Sequence, residues 1–109
     1  MPDDPYETLD PVLLPWAERQ GMRLITRFRD GPARMFLVFD RYGQEKVQIW
    51  ISIPGPGGQI EVEMAELETG NSKSRGRLLM RKGGLPRLAA ILDELRTTAL
   101  AWAGPGAFV

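Results

Sequence analysis

Lys46-Val47-Gln48-Ile49-Trp50-Ile51-Ser52-Ile53 decides the fold. Val47, Ile49, Ile51 and Ile53 alternate strictly with Lys46, Gln48, Trp50 and Ser52. A period of two puts one side of a strand into a core and turns the other outward. The apolar set is β-branched throughout, which suits a pleated, half-buried surface. Trp50 breaks the pattern, because it occupies the phase that should be polar.

The same period spreads outward in both directions. Residues 34–42 are apolar in both phases at their centre, Met35, Leu37 and Phe39 alternating with Phe36 and Val38, as expected of a strand covered at least in part on both sides. Upstream, residues 22–30 place Leu24, Thr26 and Phe28 in one phase and Arg23, Ile25, Arg27 and Arg29 in the other. Asp30-Gly31-Pro32 and residues 41–45 carry turn chemistry. Downstream, Pro54-Gly55-Pro56-Gly57-Gly58 ends the central strand, and Ile60, Val62 and Met64 then alternate with Glu61 and Glu63 until Ala65-Glu66-Leu67 disturbs the rhythm, as a bulge does. Residues 69–76 are small and polar and predict a mobile loop. A fifth strand follows over about residues 77–82, with Leu78 and Met80 expected inward and Arg77, Leu79 and Arg81 outward.

Helical patterns flank the strands. Asp10 and Pro11 form a start signal, an acceptor for orphan backbone donors followed by a residue with no donor to lose. Gly21 suits the left-handed close. The spacing predicts a helix over about 10–20 with Val12, Leu13, Trp16 and Ala17 on its apolar side, kinked or delayed to Leu14 by Pro15. At the other end Gly84 and Pro86 open a helix in which Leu85, Leu88, Leu92, Leu95, Ala99 and Trp102, with Ile91 beside them, recur at three-then-four spacing. Gly104-Pro105-Gly106 stops it.

The order is therefore α-β-β-β-β-β-α with short connections, a single α+β domain spanning residues 1–109, in which an antiparallel meander packs against N- and C-terminal helices. Residues 1–9 read as an acidic, proline-rich arm and 104–109 as a short tail. A chain of 109 residues is long enough for one core and too short for two.

Composition removes several chemistries. With no cysteine there is no disulfide framework, thiolate metal site or cysteine nucleophile. With no histidine the usual general base and the commonest transition-metal ligand are missing too. No cofactor or metal is expected. Fourteen basic residues balance fourteen acidic ones, so any charge-driven partner must read a local patch. The first residues lack the basic start and apolar stretch of a signal peptide, and the longest apolar run, residues 35–39, is far too short to span a bilayer. The expectation is a cytoplasmic protein without a membrane partner. Eleven arginines against three lysines suggest a bacterial source.

Three features compete as functional signals. Residues 54–58 resemble a phosphate loop only superficially, since Gln59 leads into a strand and not a helix. Glu61, Glu63, Glu66 and Glu68 form the densest carboxylate group and keep a carboxylate-based enzyme open as the least favoured reading. Cross-strand pairing of Glu61 and Glu63 with Arg77 and Arg81 explains them more simply. Residues 72–87 hold Lys73, Arg75, Arg77, Arg81, Lys82 and Arg87 and no acidic residue. The first five are candidate phosphate contacts, and Trp50 and Phe36 could stack on unpaired bases. Four strands followed by a helix, over roughly residues 34–103, resemble the single-strand-binding folds of a transcriptional coactivator and of PUR-type proteins. The likeness is one of topology and transfers no residues. It implies single-stranded nucleic-acid binding as the alternative function, disfavoured by the neutral net charge and the neighbouring glutamates.

Summing the outward phases gives the favoured reading. Taking Met35, Leu37 and Phe39 as inward, because the other phase includes Arg34 and Asp40, the outer face carries Ile25, Phe36, Val38, Trp50 and Leu79 inside a charged rim. An aromatic centre within a polar rim is the anatomy of an interface. The expected function is a non-enzymatic interaction module, an adaptor, chaperone-like factor or immunity-type binder, that dimerises with itself or docks another protein through this face unless the first helix covers it.

Overall fold

A computed structural model of the chain describes residues 4–68 and 71–109, with the side chains of 71–75 outside the description. Helix α1 (Asp10–Gln20) is followed by β1 (Ile25–Phe28), β2 (Gly31–Phe39), β3 (Glu45–Ile51), β4 (Ile60–Glu68) and β5 (Asn71–Gly83). A 3-10 turn (Leu85–Arg87) leads into α2 (Leu88–Ala103). The strands form one antiparallel sheet in sequence order, so the expected meander and α+β class are what the chain adopts.

Helix α1 runs unbroken through Pro15, neither delayed to Leu14 nor started by an Asp10 cap. Leu9 takes the cap position, and Asp10, in the first turn, turns its carboxylate to Arg34 instead. Gly21 closes the helix at φ 66°, its N–H donating to the carbonyls of Ala17 and Glu18. Leu13, Trp16 and Ala17 are buried. In α2 the buried set is Leu88, Ile91, Leu92, Leu95 and Ala99, the stripe that the three-then-four spacing predicts, while Leu85 precedes the α-helix and is exposed.

Both helices pack on one side of the sheet. Trp16 meets Phe36 edge to face, with ring centroids 5.2 Å apart, and its indole Nε1 donates to Asp93 Oδ1 on α2 at 2.8 Å. Around this contact Val38, Val47, Ile49, Ile51, Ile60, Val62 and Met64 complete one cluster with the helical leucines. Helix α1 therefore does not cross to cover the opposite face.

Two strands lie in the phase opposite to that expected. Cross-strand neighbours share a face, and the register aligns Phe36, Ile49, Met64 and Leu79 in one row and Met35, Trp50, Glu63 and Met80 in the next. Phe36 and Val38 are fully buried under the helices, and Leu79 packs against the same cluster. Met35 and Leu37 lie on the outer side, as do Leu78 and Met80. In β2 the inversion follows from Arg34, which points to the helix side to reach Asp10. In β5 it follows from Arg81, which reaches Glu94 on α2, and from Arg77, whose guanidinium lies 4.6 Å from the Trp102 ring.

Boundaries also differ. The first turn is Arg29-Asp30, both with left-handed φ (51° and 64°) as a two-residue hairpin demands, and Gly31 already belongs to β2. β4 does carry an irregularity just after Ala65. Of the expected loop over 69–76, Thr69 and Gly70 lie outside the described residues, and the backbone from Asn71 on is strand. The C-terminal residues are not a free tail: Phe39 and Phe108 exchange backbone hydrogen bonds of 2.8 and 3.0 Å and stack their rings 5.4 Å apart.

Candidate functional site: the outer sheet face

With α1 and α2 on one side, the opposite face of the five strands is left without a helical layer. Its central row is Ile25, Met35, Trp50, Glu63 and Met80, and the adjacent row is Leu37, Gln48, Ala65 and Leu78. The register irregularity after Ile25 turns Phe28 to this face as well. There its ring meets Trp50 edge to face at 5.1 Å, and the Arg29 guanidinium lies 5.2 Å from its centroid. Trp50 Nε1 donates to Gln48 Oε1 at 3.0 Å, so the indole is held on both flanks. Met35 and Ala65 are buried in this layer although they lie outside the helix-side cluster. Around them Leu78, Met80 and Phe28 remain 58, 46 and 42% exposed.

Of the five residues expected on this surface, Trp50 and Ile25 belong to it and Phe36, Val38 and Leu79 do not. Phe28, Leu37, Leu78 and Met80 were missed. Only the phase of β2 and β5 separates the two sets, and a bulge in β1 hides Phe28. At one end the face sinks into a cavity of about 200 Å³ lined by Tyr6, Trp50, Ile51, Ser52, Glu61, Glu63 and Met80.

The candidate phosphate contacts are split. Lys73 and Arg75 have side chains outside the described residues. Arg77 pairs with Glu66 through two hydrogen bonds of 3.1 and 2.7 Å, and Arg81 pairs with Glu94, both on the helix side of the sheet. Lys82 lies 3.2 Å from Glu61 on the outer side. Cross-strand charge pairing is thus present, with partners other than those expected. Since Phe36 is buried and Arg77 and Arg81 lie on the side opposite Trp50, the proposed stacking and phosphate contacts do not share a face.

Among the described residues no group of three or more acidic side chains is arranged to hold a metal ion, and no helix is long and apolar enough to cross a membrane. The Glu66 carboxyl is held below its ordinary value near 4.5, chiefly by its bond from the Arg77 side chain. A Cβ at Gly76 would fall 2.5 Å from that carboxylate, so glycine is what lets Glu66 lie across the strand. Because the folded value is the lower one, the contribution to stability is full above pH 4.5 and is lost as pH falls through the folded value. Urea midpoints should therefore fall on acidification below about pH 4.5, and Glu66→Gln should flatten part of that fall.

Compared with protein-family models, curated proteins and solved structures, the chain finds no match in any of the three. The functional reading accordingly rests on geometry.

Proposed function

We propose that this is a non-enzymatic, cytoplasmic interaction module that dimerises through its outer sheet face, in the manner of an adaptor, chaperone-like factor or immunity-type binder. The observation that carries the reading is the one-sided placement of α1 and α2, which leaves Phe28, Leu78 and Met80 exposed around Trp50. A contiguous apolar face with an aromatic centre favours burial against a partner.

Charge supports a second copy as that partner. Arg29, over the Phe28 ring, marks the β1 side of the face, whereas Glu61 and Glu63 lie on β4, toward the other edge. Two sheets stacked about a two-fold axis parallel to β3 would bring β1 of one copy across the β4–β5 side of the other, arginine toward glutamate. Such an interface is self-complementary, as a two-fold demands.

Light scattering should give twice the chain mass of 12.2 kDa at high micromolar concentration. Leu78→Asp, at an exposed position, should return the monomer without altering the far-ultraviolet spectrum, and Trp50→Ala should weaken association by about 2 kcal/mol or more. A monomeric wild-type protein overturns the proposal, as does a Leu78→Asp variant that dimerises unchanged.

A further inference from the structure

The sheet has two edges of different quality. β1 is four residues long, irregular in register and closed by a left-handed turn, devices that blunt an edge. β5 spans 13 residues, contains no proline and stands last in the strand order. Its regular pairing runs from Leu78 to Gly83, beyond the irregular pairing of β4 residues 65–68.

Backbone direction along this strand can be read from one bond. The Arg77 N–H donates to Glu66 Oε1, on the β4 side. Alternation then points the backbone groups of Leu79 and Arg81 toward β4 and those of Leu78, Met80 and Lys82 to the free edge. The Met80 carbonyl accepts a bond from its neighbour's guanidinium, Arg81 Nη1 at 3.1 Å. Leu78 and Met80 also carry exposed apolar side chains, so the residues that offer ladder bonds offer packing surface as well.

Charge selects the occupant. β5 contains Lys73, Arg75, Arg77, Arg81 and Lys82 and no acidic residue. A second β5 laid antiparallel would set like charges near like, which opposes pairing. Arg77 is held by Glu66, which is only 16% exposed, but Arg81 and Lys82 are held by Glu94 and Glu61 in pairs that remain substantially exposed. Pairs of that kind contribute little, so an incoming carboxylate can share or replace them.

We infer that the β5 edge over residues 78–82 is a strand-addition site for an extended acidic segment of another protein. Main-chain bonds would supply the affinity and the basic side chains the selection. The edge adjoins the dimer face and shares Leu78 and Met80 with it, but its ladder bonds lie in the plane of the sheet, so strand addition stands or falls without the dimer.

The test uses the full chain and capped peptides of about eight residues, alternating valine with glutamate or valine with lysine. Nuclear magnetic resonance titration should show saturable shifts at Leu78, Met80 and Lys82 with the glutamate peptide, slower exchange of those amides, and affinity at least about tenfold above the lysine peptide at low salt. The glutamate peptide N-methylated at alternate backbone nitrogens should not bind. Met80→Pro removes one outward donor at an edge position that tolerates proline, and should abolish binding. No saturable shift with the glutamate peptide overturns the inference. So does equal binding of the lysine or N-methylated peptide, or a folded Met80→Pro variant that binds as wild type.

Discussion

Phe36→Ala should remove about 3–5 kcal/mol of stability, the range for truncating a fully packed aromatic. Phe36 has no exposed surface, stands in the row Phe36, Ile49, Met64, Leu79 and meets the Trp16 ring edge to face with centroids 5.2 Å apart. Truncation empties the space where α1 meets the sheet, and Trp16 cannot follow freely because its indole is tied to Asp93. A domain of this kind has only about 5–15 kcal/mol in total, so the variant would sit close to unfolding at body temperature. Urea denaturation with linear extrapolation measures the loss. Leu37→Ala supplies the contrast: it is the next residue, half-buried on the outer face, and should cost less than half as much. Had β2 run in the other phase, with Leu37 under the helices, the two costs would exchange places.

That contrast marks where the sequence could be read and where it could not. β3 and β4 are unambiguous because one phase is β-branched or methionine and the other largely charged or amide. α2 is equally plain, since Leu88, Leu92, Leu95 and Ala99 can share a face only on a helix. β2 is apolar in both phases, so periodicity establishes a strand but not its orientation, and the charged residues at the two ends of its apolar run, Arg34 and Asp40, decide the reading. Arg34 would ordinarily vote for solvent. It is buried because Asp4 and Asp10, 30 and 24 residues earlier, are brought to it by the fold, and no local pattern contains that information. β5 misleads for a related reason. At a sheet edge the helix-facing side is only partly covered, so Arg77 and Arg81 can lie there against Glu66 and Glu94 while Leu78 and Met80 stand in the open. The surface was therefore legible as an apolar outer face centred on Trp50, and its membership was not.

Arg34→Met should cost about 3 kcal/mol, at the lower end of what breaking a buried ion pair costs. The guanidinium is 3% exposed and spends every donor. Nε and Nη2 grip the two Asp10 oxygens at 2.8 and 2.9 Å, Nη2 also reaches Asp4 at 2.8 Å, and Nη1 donates to the carbonyls of Ala33 and Thr26 at 2.7 and 3.4 Å. The Tyr6 ring lies 5.0 Å from it. Methionine retains much of the stem's packing, and the two aspartates, partly exposed, can turn to water, which is why the loss stays at the low end. Lysine should not rescue, because a point charge cannot reproduce a fork that holds two carboxylate oxygens at once. Asp10→Asn should cost more than Asp4→Asn, since Asp10 takes two of the bonds and fixes the start of α1. The Asp4 carboxyl lies below its ordinary value near 3.8, first through the Tyr6 backbone N–H and then through Arg34. With the folded value depressed, its contribution is full above pH 3.8 and disappears only as pH falls through the folded value. The Tyr6 amide, bonded to Asp4 Oδ1 at 2.9 Å, is the local reporter. It should exchange faster in Arg34→Met than in wild type, while the amides of Val47 and Ile49, within the core cluster, slow or quicken only with global stability.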